Sequence, residues 1–264
     1  VPTVEADVWA GDFMGRAAVP SGKSTGSNEA HELRDHGEAY GGMGVQRAVD
    51  AVVNIIGPAL MGTDITNQTG ADRVMRELDA TPNKAKLGAN AILAVSLAIA
   101  RAAAQVEEQS LWRYLKALAG LSMQPSRPPR LIFNVINGGQ HAATNLAFQE
   151  YHIIPHHRNI AKAIRIGAET YHALGDALVE RFGPMARNVG DEGGFAPAAS
   201  HSFEPFEIMW QVVKQLGYEE DVDLGLDAAA TNFYDGGLYR LDHAPLTREL
   251  LLAKYEKLAA RFPL

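Results

Sequence analysis

The sequence predicts an α/β protein in two parts, a small α+β domain followed by the first strands of a β/α barrel or a related α/β sheet. Strand and helix patterns in residues 1–122 indicate a short sheet and then several helices. Three prolines within residues 123–130 make this segment the best linker candidate. Strand and helix patterns then alternate up to residue 260. We therefore expect one domain over residues 1–124 and a second over residues 125–264.

The first domain is expected to begin with two strands and to continue as helices. Apolar and polar residues alternate over residues 3–8, which is the period of a half-buried strand, and residues 16–19 predict a second strand. Apolar spacings of three and four over residues 45–56 predict an amphipathic helix that stops at Gly57-Pro58. Further helical patterns cover residues 71–79, 89–106 and 110–119.

The second domain is expected to alternate strands with helices. The strand patterns lie at residues 131–136, 147–154 and 223–226. The helical patterns lie at residues 159–181, 203–216 and 246–260. Such alternation is typical of a β/α barrel or a related α/β sheet.

Composition narrows the classes of function. The chain has 264 residues, 47% of them hydrophobic, which is ample for a buried core. Its formal charge is −7 and it has no long basic run, so we expect no nucleic-acid partner. The absence of cysteine from the sequence excludes disulfide and thiol chemistry and fits a cytoplasmic protein.

The most apolar stretch, residues 91–104, is expected to be a buried helix. Ser96 and Arg101 interrupt it, and about 20 residues are needed to cross a bilayer. We therefore predict no transmembrane segment, and no pattern of a signal peptide is visible.

The loop Ser21–Gly26 is the first segment whose residue types suit ligand binding or catalysis. Its glycines allow close approach of a ligand to the backbone, and the hydroxyls of Ser24 and Thr25 suit a hard cation. A simple glycine-serine turn is an alternative. A nucleotide-binding P-loop is a weaker one, because Ala17 stands where that motif needs glycine and no helix pattern follows the lysine.

A second segment runs from a strand into Asn137-Gly138-Gly139 and then reaches His141, with Gln149 and Glu150 in the next strand. A histidine can contact phosphate or move a proton near neutral pH. The alternative is a structural histidine.

The third and fourth segments carry carboxylates. Asp191 and Glu192 lie in a glycine-rich turn; adjacent residues point in different directions, so one of the two is expected to face a site and to serve as a general acid. Asp227 ends a short apolar strand, the position at which β/α barrels carry functional residues. A polar turn and a capping aspartate are the respective alternatives.

Three further histidines, His152, His156 and His157, lie close together in the sequence. They lack an evident partner pattern of carboxylates, so we expect no metal site there.

Together, these segments, in this order and at these spacings, resemble the enolase family across essentially the whole chain. The residues that carry the resemblance are Pro2–Glu5, Ala18–Gly26, Glu29–Ala30, Glu32–Asp35, Leu78–Asp79, Leu87–Leu93, Asn137–Gly139 with His141, Gln149–Glu150, Gly190–Gly194 and Gly225–Asp227.

The resemblance implies an α+β N-terminal cap domain followed by a ββαα(βα)6, TIM-like barrel. It also implies a lyase, phosphopyruvate hydratase, which uses Mg²⁺ to dehydrate 2-phosphoglycerate to phosphoenolpyruvate in glycolysis and gluconeogenesis. A cytoplasmic homodimer is the expected assembly.

The resemblance also implies roles for individual residues. Asp227 would bind the structural Mg²⁺, and Ser24 would contact a second, substrate-dependent Mg²⁺. His141 would lie near the substrate phosphate. Glu192, assisted by Glu150, would be the acid that helps the hydroxyl to depart, and Gln149 would add a polar contact to the substrate.

Two residues depart from the family pattern. Lys23 replaces a small residue of the loop, where a cation could attract phosphate or disturb loop closure. Asn232 replaces an acid that commonly follows the third strand.

The sequence begins at Val1 with a strand almost at once, and only three of the eight barrel strands are expected within it. Two further Mg²⁺-binding carboxylates and the lysine base would come from later strands of the family. We therefore expect a fragment with an incomplete barrel that is inactive alone. The alternatives are a split subunit that needs a partner chain and a non-catalytic protein built on an enolase scaffold.

Overall fold

The structure is a computed structural model that describes residues 1–22, 25–122 and 128–264. The chain divides into two units, Val1–Gln124 and Pro125–Leu264. Lys23 and Ser24 of the predicted loop, like residues 123–127 of the predicted linker, lie outside the described residues. The prediction of an α+β part followed by an incomplete barrel is confirmed, as the elements of each unit show.

The first unit begins with an antiparallel hairpin of β1 (Val4–Ala10) and β2 (Phe13–Val19). The strands are in register from the pair Val4 and Val19 to the pair Ala10 and Phe13. Gly11 has a φ of +60° in the two-residue turn between them, a backbone angle that glycine adopts without strain. Strand β2 begins at Phe13, three residues before the start that the sequence pattern predicts.

A helical segment follows a short 3₁₀ turn at Ala39–Gly42. It comprises α1 (Gln46–Ala51), a π-helical turn (Val52–Ile56) and α2 (Gly57–Leu60). The predicted stop at Gly57-Pro58 is wrong. The Gly57 N–H donates to the carbonyl of Val52, five residues back, so the helix is already widened where Pro58 lacks a donor.

Three more helices complete the first unit: α3 (Gln68–Asp79), α4 (Ala89–Val106) and α5 (Leu111–Leu118). Helix α4 packs on both strands of the hairpin. A Cβ atom on Gly15 of β2 would lie 2.0 Å from the Ala98 carbonyl oxygen of α4. Glycine is thus required for this close approach of strand and helix.

Among the described residues, α4 is the one helix long and apolar enough to cross a membrane by length and composition, and 56% of it is buried within the protein. It covers 18 residues, somewhat more than the apolar stretch noted in the sequence. Ala91, Ala94, Ala98 and Ala102 are fully buried. Such burial is typical of a core helix, as the sequence predicts.

The second unit contains a three-stranded sheet, with β3 (Phe133–Asn137), β4 (Glu150–Pro155) and β5 (Val222–Asp227) in that order. Strand β4 is antiparallel to both neighbours, so β3 and β5 run in the same direction. These three described strands form an open sheet rather than a closed barrel.

Helices and a small second sheet surround these strands. Helix α6 (Ile160–Phe182) packs on β4 and on α7 (Glu204–Gln215). A sheet of β6 (Tyr234–Asp235), β7 (Leu238–Leu241) and β8 (Ala244–Leu246) precedes α8 (Arg248–Arg261). Short 3₁₀ turns lie at Pro184–Arg187 and Ala230–Phe233. No sequence pattern predicts the small sheet, because its strands are only two to four residues long.

We expect Gly15→Ala to destabilise the first unit by about 1–3 kcal/mol or more, because the added methyl group overlaps the α4 backbone. Chemical denaturation followed by circular dichroism measures this change. Gly37→Ala is the matched control, since a Cβ atom on Gly37 has no neighbour within 4 Å. Equal stabilities of the two variants would contradict the packing described here.

Asp79 offers a test by pH. Its buried carboxylate accepts from the N–H groups of Thr81 (3.0 Å) and Leu87 (2.7 Å). Burial raises its pKa, but the hydrogen bonds outweigh burial and hold the pKa below the ordinary 3.8. A lowered folded-state pKa adds stability that is complete above the unfolded value and is lost as the pH falls through the folded value.

We therefore expect Asp79→Asn to cost about 1–3 kcal/mol at neutral pH, because an amide presents a donor where two N–H groups need acceptors. The difference in free energy of unfolding between the variant and the unmodified chain should shrink as the pH falls below 3.8. Denaturation at several pH values measures it. A deficit that stays constant with pH would contradict the role of the carboxylate charge.

Candidate active site

The functional candidates of the second unit meet at one edge of its main sheet. Asn137 ends β3, Glu150 begins β4, and Asp227 ends β5. The strand register pairs Asn137 with Glu150 and Glu150 with Asp227. Because β4 is reversed, its first residue lies level with the last residues of its neighbours.

The turn after β3 brings His141 to this edge. A Cβ atom on Gly138 would lie 2.4 Å from the Phe148 carbonyl oxygen, and Gly139 has a φ of +53°. The two glycines therefore allow the chain to turn tightly against the residues that precede β4. The His141 N–H then donates to the Gly138 carbonyl (2.9 Å), and the residue is only 3% exposed.

The glycine-rich turn that carries Glu192 is attached to β3. The Gly194 N–H donates to Asn137 Oδ1 (2.9 Å), and the Gly190 N–H donates to the Gly194 carbonyl (2.8 Å). Phe195 continues this attachment, since its N–H donates to the Val135 carbonyl and its carbonyl accepts from the Asn137 N–H, each at 2.9 Å. The turn thus behaves as an extension of the sheet.

Three ionisable side chains converge at this point. His141 Nδ1 lies 3.1 Å from Glu192 Oε2 and 4.0 Å from Glu150 Oε1. One ligand atom from each of the three residues lies within 4.8 Å of the others. We call these residues the His141–Glu150–Glu192 cluster.

The nitrogens of His141 are buried and make no well-aligned hydrogen bond with the described residues. The close approach of Nδ1 to Glu192 is therefore an electrostatic contact that is poorly oriented for a hydrogen bond. A buried polar atom without a partner is costly. Such an atom next to two carboxyl groups is a mark of a site that binds a ligand or an ion.

Glu150 is held by the most contacts in the cluster. His152 Nε2 lies 2.9 Å from its Oε2, and Gln149 Nε2 donates to its Oε1 (3.3 Å). Burial raises the pKa of Glu150, but hydrogen bonds with His152, Gln149 and Glu192 together bring it below the ordinary value of 4.5. These hydrogen bonds therefore favour the ionised form of the Glu150 carboxyl group.

Gln149 connects the cluster to Asp227. Its Nε2 also donates to Asp227 Oδ2 (3.3 Å), while Asn232 Nδ2 donates to Gln149 Oε1 (3.3 Å). Asp227 Oδ1 accepts from the Ala229 N–H (2.9 Å). Asn232, a departure from the family pattern, is thus a hydrogen-bond donor to the site.

The structure brings five of the six predicted site residues together: His141, Gln149, Glu150, Glu192 and Asp227. The sixth, Ser24, lies outside the described residues. Their proposed chemical roles remain predictions at this point.

Two residues of the site are not predicted from the sequence. Asn134 Nδ2 donates to Glu192 Oε2 (3.0 Å), and His152 contacts Glu150. His152 was dismissed for lack of a carboxylate pattern. The missed signal is the strand period of two, which places residues 150 and 152 on the same face of β4.

The kinds of ligand atom at the site indicate which metal ion each residue suits. Mg²⁺ prefers oxygen ligands in octahedral geometry, so the Asp227 carboxylate fits it in kind, although a single carboxylate is an incomplete set. The cluster contains an imidazole nitrogen, which suits transition metals better than Mg²⁺. Among the described residues, Asp227 is therefore the better Mg²⁺ candidate.

An open cavity of about 530 Å³ borders the cluster on the side of His141. Residues 140–143 line one wall, and residues 188–191 with Met185 and Ala196 line the other. The cavity is large enough for a small organic anion beside the histidine.

Comparison with known proteins agrees with this architecture. A family model for the N-terminal domain of enolase matches residues 1–115, and one for the C-terminal TIM barrel domain of enolase matches residues 127–264. An enolase of Methanopyrus kandleri is 48% identical over 269 residues, and one of Methanocaldococcus jannaschii is 47% identical over 265 residues. An enolase of Thermococcus gammatolerans is 44% identical over 268 residues.

All three alignments cover 100% of this chain. They cover 62%, 62% and 61% of the respective relatives, so the chain spans about three fifths of their length. The two family models together account for nearly every residue, and on this evidence the chain belongs to the enolase family.

Proposed function

We propose that these residues form part of the active site of a phosphopyruvate hydratase, a lyase that converts 2-phosphoglycerate to phosphoenolpyruvate and water. The observation that carries the proposal is the convergence of Glu150, Glu192 and His141 beside Asp227 at one sheet edge. Loss of a β-hydroxyl needs an acid, and a phosphorylated substrate needs hydrogen-bond donors for its oxygens. The cluster offers both kinds of group.

Glu192 is the acid in this proposal. It donates a proton to the departing hydroxyl, which leaves as water. The proton of the broken carbon–hydrogen bond goes to the lysine base that later strands of the family would supply, and the electron pair left behind becomes the new double bond. The side chain is accessible enough to meet a substrate, being 36% exposed, whereas that of Glu150 is 17% exposed. Beside it, hydrogen bonds hold the pKa of Glu150 below 4.5 and favour its ionised form.

His141 contacts the substrate phosphate in this proposal. Its Nε2 is buried and has no hydrogen-bond partner among the described residues. An imidazole N–H is a hydrogen-bond donor, and such a donor suits a phosphate oxygen. His141 also lies in the wall of the cavity of about 530 Å³.

Mg²⁺ would be held by Asp227, with Ser24 contacting a second Mg²⁺ as the family resemblance implies. When bound, the ions stabilise the negative charge that develops on the substrate carboxylate. Gln149 orients Asp227 by its hydrogen bond to Oδ2 and stands ready as a polar contact to the substrate.

The polypeptide of these 264 residues is proposed to be inactive by itself. Within the described residues its main sheet has three strands, where a closed barrel of this class has eight, and Asp227 is the one described carboxylate that we propose for the structural ion. Supply of the missing strands by a partner chain is the second candidate, because an open sheet edge is a surface on which further strands pair.

The assembly and the compartment are proposed from the family alone, as a homodimer in the cytoplasm. The lack of cysteine is in keeping with a reducing compartment.

The first test compares the chain alone with a fusion that appends the remaining part of the Methanopyrus kandleri enolase, the relative with 48% identity. With 2-phosphoglycerate and Mg²⁺, we expect no enol absorbance from the chain alone and steady turnover from the fusion. Glu192→Gln in the fusion should lower kcat by about 10²–10⁴-fold, which is the usual worth of a general acid.

Asp191→Asn is the matched control for that substitution, since it changes the adjacent carboxyl group in the same turn. Robust turnover by the chain alone would refute its inactivity. A Glu192→Gln fusion that keeps the unmodified kcat, while Asp191→Asn loses it, would refute the assignment of the acid.

A second test concerns His152 as a positioning residue for Glu150. In the fusion, His152→Leu should lower kcat by about 10–100-fold, the usual effect of losing such a supporting contact, while KM changes little. His152→Gln retains a donor and should recover much of the loss. Equal losses in both variants, with equal folding by circular dichroism, would show a packing role instead.

A further inference from the structure

A second cavity lies wholly within the first unit, between helices α3 and α4. Positions 69, 72 and 76 of α3 line one wall, and positions 89, 92, 93 and 96 of α4 line the other. We call this cavity the α3–α4 groove. Its volume is about 450 Å³, and pockets for small molecules usually have about 300–1,000 Å³. We propose that the α3–α4 groove binds a small organic anion with an apolar body, of the class of a medium-chain carboxylate.

The α4 wall of the groove is apolar. Ala89, Ile92 and Leu93 lie three and four positions apart, so they share one face of the helix. Leu93 is 45% exposed, although α4 is otherwise a core helix. Apolar surface of this kind is stabilised when a hydrocarbon chain covers it. The α4 wall therefore favours a ligand with a hydrocarbon body.

Two cationic side chains also line the groove. Arg76 comes from the last turn of α3, and Lys84 comes from the loop between α3 and α4. Within the described part of the chain, neither forms an ion pair with a carboxylate. The whole chain has a formal charge of −7, so these cations oppose the overall charge. Such a local excess of positive charge favours an anionic head group.

Asp72 is the one acidic residue among the described residues that line the groove, and its carboxylate is already engaged. Its Oδ1 accepts from Ser96 Oγ (2.7 Å) and from Gln68 Nε2 (3.1 Å). These hydrogen bonds orient the carboxylate toward donors of the two helices. Arg76 and Lys84 therefore stay available for an anion from solution.

The groove also reaches the segment that follows the loop Ser21–Gly26. Ala30 lines it, and the next residue is hydrogen-bonded to the chain that leads into α4. The His31 N–H donates to the Asn83 carbonyl (2.6 Å), and the Ala89 N–H donates to the His31 carbonyl (2.8 Å). A ligand would contact both sides of this pairing, so its binding should slow the opening of these hydrogen bonds.

The test titrates the 264-residue chain with octanoate and follows the amide resonances by NMR. We expect saturable shifts at the groove, with a dissociation constant of about 1 mM, and slower hydrogen exchange at His31 and Ala89. Hexanoate should bind about threefold to tenfold more weakly, because it covers two fewer methylene groups. Octan-1-ol and octylamine, which lack the negative charge, should bind weaker than octanoate by about threefold or more.

Two variants locate the site. Leu93→Ser should weaken octanoate binding by about fivefold through lost apolar contact, and Arg76→Glu combined with Lys84→Glu should weaken it by about tenfold through charge reversal. Leu97→Ser is the matched control on α4, since Leu97 is 39% exposed and does not line the groove. Arg73→Glu is the matched control on α3, since Arg73 does not line it either. Both controls should bind octanoate as the unmodified chain does.

Three results would overturn the proposal. These are an absence of saturable shifts at the groove, binding of octylamine as tight as that of octanoate, and equal losses in Leu93→Ser and Leu97→Ser. Binding is read without turnover, so the outcome is independent of whether the proposed dehydration holds.

Discussion

The reversal of β4 between two strands of the opposite direction is the constraint on which the candidate site depends. In a sheet of parallel strands, Glu150 at the start of a strand would lie at the far end from Asn137 and Asp227. The antiparallel register instead pairs Glu150 with both of these strand-ending residues. The start of one strand and the ends of two others thereby share a single edge, and the turns that carry His141 and Glu192 leave the sheet there.

The electrostatics of that edge follow from the same arrangement. Two carboxyl groups and a buried histidine are held within 4.8 Å, where burial alone would disfavour charge on any of them. Hydrogen bonds to Glu150 reverse this effect for one carboxyl group and keep its pKa below the usual value. The anionic form of Glu150 is thereby favoured at this edge of the sheet.

Sequence patterns predicted the elements well where a local signal exists. The strand alternation of β1 and the long apolar run of α4 are features of neighbouring residues, and both elements formed as expected. The predicted end of the helix at Gly57-Pro58 is wrong, because a π turn accommodates the proline. The hydrogen bonds of this turn reach one residue further back than those of an α-helix. The strands β6 to β8 are too short for an alternating pattern to stand out.

For the site, the motifs identified His141, Glu150, Glu192 and Asp227, and the structure gathers them. The contacts of Asn134 with Glu192 and of Asn232 with Gln149 span 58 and 83 positions, so no local pattern could reveal them. The contact of His152 with Glu150 is predictable from the sequence, because the strand period of two places both residues on the same face of β4.

The pairing of Phe195 with β3 has a mechanical consequence for Glu192. Two main-chain hydrogen bonds and the Asn137 side chain fasten the far side of its turn, each bond being worth about 1 kcal/mol. A movement of the turn's backbone away from the histidine would therefore have to break hydrogen bonds at the margin of the sheet. The main chain that carries the acid is thus tied to the strands, whereas its carboxyl group can still rotate about the side-chain bonds.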